Sequence, residues 1–343
     1  MRHVLLPLFT ILIIIASCKP TVVQPVMDAG TEVSALGVAS AAPSAAPSAS
    51  AAPTPSAAPM LMQASAPASR LTMVNACQYP IWIQQQGMPK GTPAVIQIGT
   101  GATIGYDIPA AGLASTRFWP KNGCDTAGNN CAMGQSSPPC PAKGCPPPVD
   151  SKLEATWGCL FPEPSKCAST PQGNKIDQTT WWNASAVDGY TLPYTITTSG
   201  GDGRKACSPV DCSGLTVAGC PTDDNLSTGG KYPQFAKQSE VVKGASPMWA
   251  GCFSTCSKLT YPTYGGDGVQ PPQDPKAQMY CCPTPPITPP VCSAGPVVKT
   301  KYVQAVHAMC KNTVYGYAYD DTVGLRTCSS DTTFTMTFGP NCP

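Results

Sequence analysis

The residues of this chain with the clearest chemical potential are its cysteines. The 343 residues include 19 cysteines and 2 histidines, and no two cysteines have the Cys-x-x-Cys spacing. Structural zinc sites combine cysteine and histidine ligands at such close spacings, so the sequence predicts no metal site and no cofactor. Cysteines in this number are typical of disulfides, which persist in oxidising compartments. We therefore expect a protein that works outside the cytoplasm.

One histidine beyond the leader, His307, has the side chain that nucleophilic catalysis with a serine would require. Apolar residues around it recur at steps of three and four, which predicts a short helix: Val298, Tyr302, Ala305, Val306 and Met309. A lone histidine in a short helix is more often a packing or surface residue than a catalytic base. We therefore expect a structural role for His307.

The N-terminus explains the odd number of cysteines. Arg2 precedes an apolar run from Val4 to Ile15, which is too short to cross a bilayer as a mature helix and suits a signal peptide. The run leads into Ile-Ala-Ser-Cys, which resembles the lipobox of bacterial lipoprotein signals. Residues 1–17 are thus predicted to be a lipoprotein signal peptide, with lipid on Cys18. Because the next residue is not the aspartate that favours inner-membrane retention, we expect an outer-membrane anchor.

Residues 18–70 are predicted to be a disordered tether. Alanine, proline and serine dominate this stretch, with A-A-P-S repeats between Ala41 and Pro59 and almost no charge. Such a composition buries too little apolar surface to offset the entropy lost on folding. We expect the tether to hold the following domain away from the membrane.

Residues 71–343 have the pattern of a β-rich domain with long loops. The chain is 12% charged and has 40 prolines and 31 glycines, which favour turns over long helices. Short β-type runs occur at 71–75, 81–83, 95–98, 103–108, 116–119 and 333–338. This spacing predicts a sandwich or barrel. A last strand beside the first would bring Cys342 near Cys77.

A second pattern concerns the stretch from Trp182 to Thr197. Apolar residues alternate with small or hydroxyl residues on both sides of Asp188-Gly189. This predicts a β-hairpin with one buried face and gives Asp188 a structural role in the turn.

The charge of the chain excludes one class of partner. The formal net charge is +2, and the sequence contains no basic run. Nucleic-acid binding is therefore not expected.

Five motifs occur in a fixed order: V-N-A-C-Q-Y-P-I-W (74–82), R-F-W-P-K-N-G-C (117–124), V-D-G-Y-T-L-P-Y (187–194), the adjacent cysteines 281–282, and the ending F-G-P-N-C-P. With the cysteine series, they resemble the thaumatin-like family, the pathogenesis-related group that includes osmotin and zeamatin. The resemblance covers residues 71–343. It implies an all-β fold: a flattened β-sandwich with a disulfide-rich loop lobe and one short helix.

The resemblance also implies the disulfide pairing. Carried over to this sequence, the family's cross-links are Cys77–Cys342, Cys124–Cys131, Cys140–Cys145, Cys207–Cys328, Cys212–Cys310, Cys220–Cys252, Cys256–Cys281 and Cys282–Cys292. Cys159 and Cys167 have no family counterpart and are expected to bond to each other.

Members of the family have an acidic cleft between the sandwich and the loop lobe, and several bind or slowly hydrolyse β-1,3-glucans. The resemblance places Glu154 and the pair Asp320-Asp321 at cleft positions. Two carboxylates that flank a glycosidic bond can act as acid and as nucleophile or base. Glu154 and Asp320 are therefore the candidate catalytic residues, and Glu154, Asn183, Asp320 and Asp321 the candidate substrate-binding residues.

Other cleft positions depart from the family pattern. Asn183 stands where many members have an aspartate, and Thr180 falls at another acidic position. The arginine expected ahead of the glutamate is absent from residues 146–150, and residues 135–139 lengthen the loop before Cys140. Glu154 could also be an exposed strand carboxylate, and the aspartate pair could cap a turn.

These observations favour binding over catalysis. We expect a monomeric, lipid-anchored envelope domain that binds polysaccharide, such as a β-glucan, or another surface partner in its cleft. One alternative is a weak endo-β-1,3-glucanase that uses Glu154 as the acid and Asp320 as the second carboxylate. Another is a defence module that inhibits fungal growth without using these carboxylates.

Overall fold

The computed structural model describes residues 69–142, 144–147, 149, 151–200, 207–243 and 249–343. The predicted signal peptide, Cys18 and nearly all of the tether lie outside these residues. Within the described ranges, no helix has both the length and the apolar character needed to cross a membrane.

The described residues form fourteen strands, most of them four to seven residues long. Their bounds are β1 (Leu71–Asn75), β2 (Ile81–Gln86), β3 (Val95–Ile98), β4 (Thr103–Tyr106), β5 (Leu113–Lys121), β6 (Lys152–Trp157), β7 (Thr179–Ser185), β8 (Gly189–Tyr190), β9 (Tyr194–Ser199), β10 (Val210–Cys212), β11 (Val241–Lys243), β12 (Ala250–Phe253), β13 (Arg326–Ser329) and β14 (Thr333–Phe338).

Three sheets organise these strands. One has the order β10-β9-β14-β1-β4, the second β13-β7-β6-β5-β2-β3, and the third, in the loop-rich lobe, β11-β12-β8. The two larger sheets pack face to face, because Phe334 of the first lies against Trp157 and Trp182 of the second, with ring centroids 5.2 Å and 5.1 Å away. Edge-to-face packing of this kind adds to the stabilisation from burial.

The first and last strands lie side by side, as the sequence predicts. β1 and β14 pair in parallel over five residues, and a disulfide joins Cys77 to Cys342 just beyond them. The alternating burial of Phe334, Met336 and Phe338 places their side chains in the core.

The predicted hairpin from Trp182 to Thr197 is wrong. β7 pairs with β6 and β13 in one sheet, whereas β9 pairs with β10 and β14 in another. The alternation correctly indicates a buried face on each strand, but it carries no information on the partner strand. Asp188, between them, accepts a hydrogen bond from Lys152 at 2.5 Å, which ties this connection to β6.

The prediction of one short helix is also wrong, because five occur in the described ranges: α1 (Thr255–Thr260), α2 (Gln278–Cys281), α3 (Pro289–Ser293), α4 (Lys301–Met309) and α5 (Asp321–Gly324). α4 is the predicted helix, and it includes the buried residues Tyr302, Val303 and Val306. The other four are four to six residues long, which is too short for a helical period to show in the sequence. Disulfides hold three of them together, since Cys256–Cys281 joins α1 to α2 and Cys282–Cys292 joins the end of α2 to α3.

Nine disulfides are present, and their pairs are those that the resemblance implies, with Cys159 bonded to Cys167. Several of them staple the lobe that carries α1–α4 and the three-stranded sheet. This lobe has few long helices or strands to stabilise it. The cross-links add stability by limiting the conformations of its unfolded chain.

Candidate functional site

Three polar residues form a row across the outer face of the six-stranded sheet. Arg117 on β5 is in register with Glu154 on β6, and Glu154 is in register with Asn183 on β7. Successive side chains on a strand point to opposite faces. Because the neighbouring Phe118, Leu153, Trp182 and Ala184 are buried in the core, the row faces away from it.

The central contact of the row is an ion pair. Nε of Arg117 lies 2.9 Å from Oε1 of Glu154, and the two side chains are 47% and 27% exposed. The guanidinium therefore orients the carboxylate while the pair stays accessible to a ligand. Residues 146–150 lack the arginine that the family resemblance leads one to expect, and Arg117, which no local pattern indicates, reaches Glu154 through strand register instead.

The segment that leads to α5 borders the row near the end of β7. Tyr315 forms an isolated bridge with Ser185, and its hydroxyl donates a 2.5 Å hydrogen bond to Oδ1 of Asp321. Burial, this hydrogen bond and the carboxylates of Asp321, Asp320 and Glu154 raise the pKa of Tyr315 well above its ordinary value. Tyr315 therefore remains a hydrogen-bond donor to Asp321, and its backbone N–H donates to the carbonyl of Ala184 at the end of β7.

The two aspartates of the predicted pair have different surroundings. Asp320 is 2% exposed, and its Oδ2 lies 2.7 Å from Nε2 of His307 and accepts a hydrogen bond from the Gly316 N–H at 2.9 Å. Asp321 is exposed. The structure therefore places Asp321 at the surface, on Tyr315 near the end of β7, and Asp320 inside the domain, where it anchors the loop to His307 on α4.

Another ion pair lies next to the row. Lys152, two residues from Glu154 on β6, has its Nζ 2.5 Å from Oδ2 of Asp188. The Asp188 side chain is 39% exposed. Asp188 thus combines the structural role expected from its turn with a position near Glu154.

Two tryptophans flank the row on a diagonal. Trp119 lies two residues beyond Arg117 on β5, and Trp181 lies two residues before Asn183 on β7. Trp181 is 47% exposed, one of the few large apolar side chains at the surface of the described residues. From the rise per residue and the strand spacing, their Cα atoms are about 16 Å apart.

The site is thus a surface with a charged centre and an aromatic ring at each end. It brings together Glu154, Asn183 and Asp321 of the predicted residues and adds Arg117, Trp119, Trp181 and Tyr315. A carboxylate accepts hydrogen bonds, a guanidinium donates them, and an amide does both. This combination suits a ligand that is rich in hydroxyl groups and has flat apolar faces.

Residues 75–340 match the model of the Thaumatin family, and the chain belongs to this family. A glucan endo-1,3-beta-glucosidase from Prunus avium is 26% identical over 292 residues, 82% of this chain and 94% of that protein. The pathogenesis-related thaumatin-like protein 3.5 of Cryptomeria japonica is 27% identical over 285 residues, 80% and 92% of the two chains.

Solved structures are similar as well. A laminaripentaose-producing β-1,3-glucanase of glycoside hydrolase family 64, from Paenibacillus barengoltzii, has a TM-score of 0.45 and 13% identity, with 82% of this chain and 78% of that chain covered.

Proposed function

We propose that this domain binds a neutral polysaccharide, of the β-glucan type, on the outer face of the six-stranded sheet. The observation that carries the proposal is the row Arg117, Glu154 and Asn183 between Trp119 and Trp181. Charge-assisted hydrogen bonds from sugar hydroxyls to Glu154, and from Arg117 to sugar oxygens, would orient a chain. The indole rings offer flat apolar faces on which sugar rings stack.

The choice of a β-glucan has support from the relatives. The Prunus avium relative is named a glucan endo-1,3-beta-glucosidase and aligns with most of this chain. The glucan is therefore the first polymer to test, although the row itself would suit other neutral polysaccharides.

The residues of the site favour binding of the polysaccharide without efficient hydrolysis. The residue opposite Glu154 is an amide, Asn183, instead of a second carboxylate. Asp320, the other catalytic candidate, has its carboxylate engaged by His307 and Gly316. Glycoside hydrolysis needs two carboxyl groups that both reach the scissile bond.

A weak β-1,3-glucanase is the second candidate, and the name of the Prunus avium relative favours it. In that mechanism Glu154 would be the acid, and Asp320, or the exposed Asp321 beside it, the second carboxylate. A defence role is a third candidate, suggested by the pathogenesis-related relative. It predicts growth inhibition of fungi that persists in Glu154→Gln.

One experiment separates the first two candidates. The full chain, purified in detergent, is incubated with insoluble β-1,3-glucan, and both bound protein and released reducing sugar are measured. We expect binding that Glu154→Gln weakens and no sugar release. Glu163→Gln, a change at an exposed carboxylate outside the row that pairs with Lys166, is the matched control. Sugar release that Glu154→Gln abolishes would establish the hydrolase.

We also propose that Cys18 carries lipid and anchors the protein to the outer membrane. The domain would then face an oxidising space, which the nine disulfides require. Cys18→Ala should move the protein from the membrane fraction to the soluble fraction. Unchanged partitioning would refute the anchor.

A further inference from the structure

A polar cavity of about 420 Å³ lies beside β2, on the face of the six-stranded sheet that carries the row. Its lining includes Gln84, Gln86, Trp119, Lys121 and residues 134–138. The loop that closes it, from Gln135 to Pro139, is the one that lengthens the chain relative to the family signature. The cavity is therefore a feature of this chain that the motifs alone do not indicate.

The cavity continues the row by one strand. Gln86 on β2 is in register with Arg117, and Gln84 is in register with Trp119. Side chains at paired positions share a face of the sheet. A chain bound along Glu154 and Arg117 would therefore reach the cavity without leaving the sheet surface.

The walls of the cavity are held in place by hydrogen bonds. The indole N–H of Trp119 donates to the carbonyl of Gly134 at 3.2 Å. Oε1 of Gln135 accepts from the Cys131 N–H at 2.9 Å, and its amide nitrogen donates to the Pro139 carbonyl. Such preorganisation reduces the entropy lost when a ligand binds.

The groups that face the cavity are mostly uncharged amides and hydroxyls, which suits a neutral, hydroxyl-rich ligand. Gln84 and Gln86 present amides, which both donate and accept hydrogen bonds, and Ser136 and Ser137 are exposed hydroxyl residues. No carboxylate is among the described residues that line the cavity. Lys121 is 2% exposed and its ammonium donates to Oε1 of Gln84 at 3.3 Å, so this charge is buried and engaged by an amide.

We propose that this cavity is the subsite for the neutral sugar unit at the Trp119 end of the bound chain, stacked on Trp119 and held by the amides of Gln84 and Gln86. The inference rests on the proposed function, because it extends the same surface. It makes the domain selective for long chains, since a short oligosaccharide held at the charged centre of the row does not extend to Trp119 and the cavity beside it.

The test measures affinity as a function of ligand length. β-1,3-linked glucose oligomers, from the disaccharide to the heptasaccharide, are titrated into the full chain in detergent by calorimetry. We expect the affinity of the wild type to rise with length. Two variants test the cavity: Ser137→Trp, which fills it from an exposed position, and Gln86→Ala. Each should lower the affinity for the longest oligomers about fivefold and leave the affinity for the shortest ones unchanged. Unchanged thermal unfolding midpoints show that both variants fold.

The outcomes separate the two proposals. If the wild type binds no oligomer, the proposed function fails and the subsite fails with it. If Glu154→Gln weakens every length while Ser137→Trp and Gln86→Ala both follow the wild-type curve, the subsite alone is overturned. Tighter binding of uronic acid oligomers than of neutral oligomers would overturn the assignment to a neutral sugar.

Discussion

Arg117 and Glu154 face each other across β5 and β6, with 2.9 Å between Nε and Oε1. The pair is partly exposed, so its Coulomb energy is screened and its contribution to stability is small. Its consequence is geometric. The guanidinium fixes the direction of the carboxylate that the proposed ligand would contact.

Arg117→Ala should therefore weaken glucan binding with little change in stability. We expect an affinity loss of about tenfold, or about 1.4 kcal/mol, because Glu154 loses its orienting partner and the ligand loses a donor. The free energy of unfolding should change by no more than about 1 kcal/mol. Calorimetric titration and urea unfolding measure the two quantities, with Arg117→Lys as the variant that keeps the charge. A large loss of stability without loss of affinity would assign the pair a structural role.

The two neighbouring aspartates should respond differently to substitution. Asp320→Ala leaves the buried Gly316 N–H and the His307 ring without their acceptor, which should cost about 2 kcal/mol of stability. Asp321→Asn should leave stability nearly unchanged and weaken glucan binding. Urea unfolding and calorimetric titration of both variants test this. If Asp320→Asn kept full stability but removed glucan turnover, Asp320 would be a catalytic residue.

A buried carboxyl group in the loop lobe should make stability depend on pH. Burial, and then the nearby carboxylate of Asp224, raise the pKa of Glu240 well above 4.5, although Lys258 opposes the shift. The folded protein therefore keeps a proton that the unfolded chain releases. Stability is greatest below about pH 4.5 for this group and falls as pH rises towards the folded pKa, by about 1.4 kcal/mol per pH unit.

Glu240→Gln should remove that dependence, because glutamine cannot ionise. In thermal unfolding from acid to neutral pH, the unfolding midpoint of Glu240→Gln should rise relative to that of the wild type as pH rises. The midpoint of Glu163→Gln should follow that of the wild type. Parallel curves for Glu240→Gln and the wild type would show that the carboxyl group ionises normally in the fold.

The disulfides should contribute according to the loops that they close. Cys77–Cys342 spans 265 residues and Cys159–Cys167 spans 8. In the chain-entropy model the first contributes about 5.6 kcal/mol and the second about 2.5 kcal/mol. Paired alanine substitutions at each bond, compared by urea unfolding, test this order. A larger loss for Cys159–Cys167 would show that native contacts outweigh loop entropy.

The parts of the fold that the sequence predicts are those encoded locally. The strict alternation of residues 333–338 marks β14, and the three- and four-residue steps mark α4. The predicted hairpin from Trp182 to Thr197 is wrong because a period-2 pattern looks the same whichever strand pairs with it. Helices of one turn, such as α2 and α5, depend on caps, neighbours and cross-links instead of periodicity.

The site shows the same limit. The resemblance places Glu154 and Asn183 at cleft positions, and in the structure the two residues lie opposite each other on adjacent strands. Arg117 lies in the motif R-F-W-P-K-N-G-C, yet its contact with Glu154 is set by the register of β5 and β6, which no local pattern encodes. Likewise, the different exposure of Asp320 and Asp321 depends on His307 in α4.

The most direct test follows the indole N–H signals of Trp119 and Trp181 by NMR during titration with a β-1,3-linked hexasaccharide, with assignments from single Trp→Phe variants. Binding across the row predicts that both signals shift with the same dissociation constant, while the signal of the buried Trp157 does not. If the ligand binds and neither Trp119 nor Trp181 responds, the polysaccharide site is elsewhere on the protein.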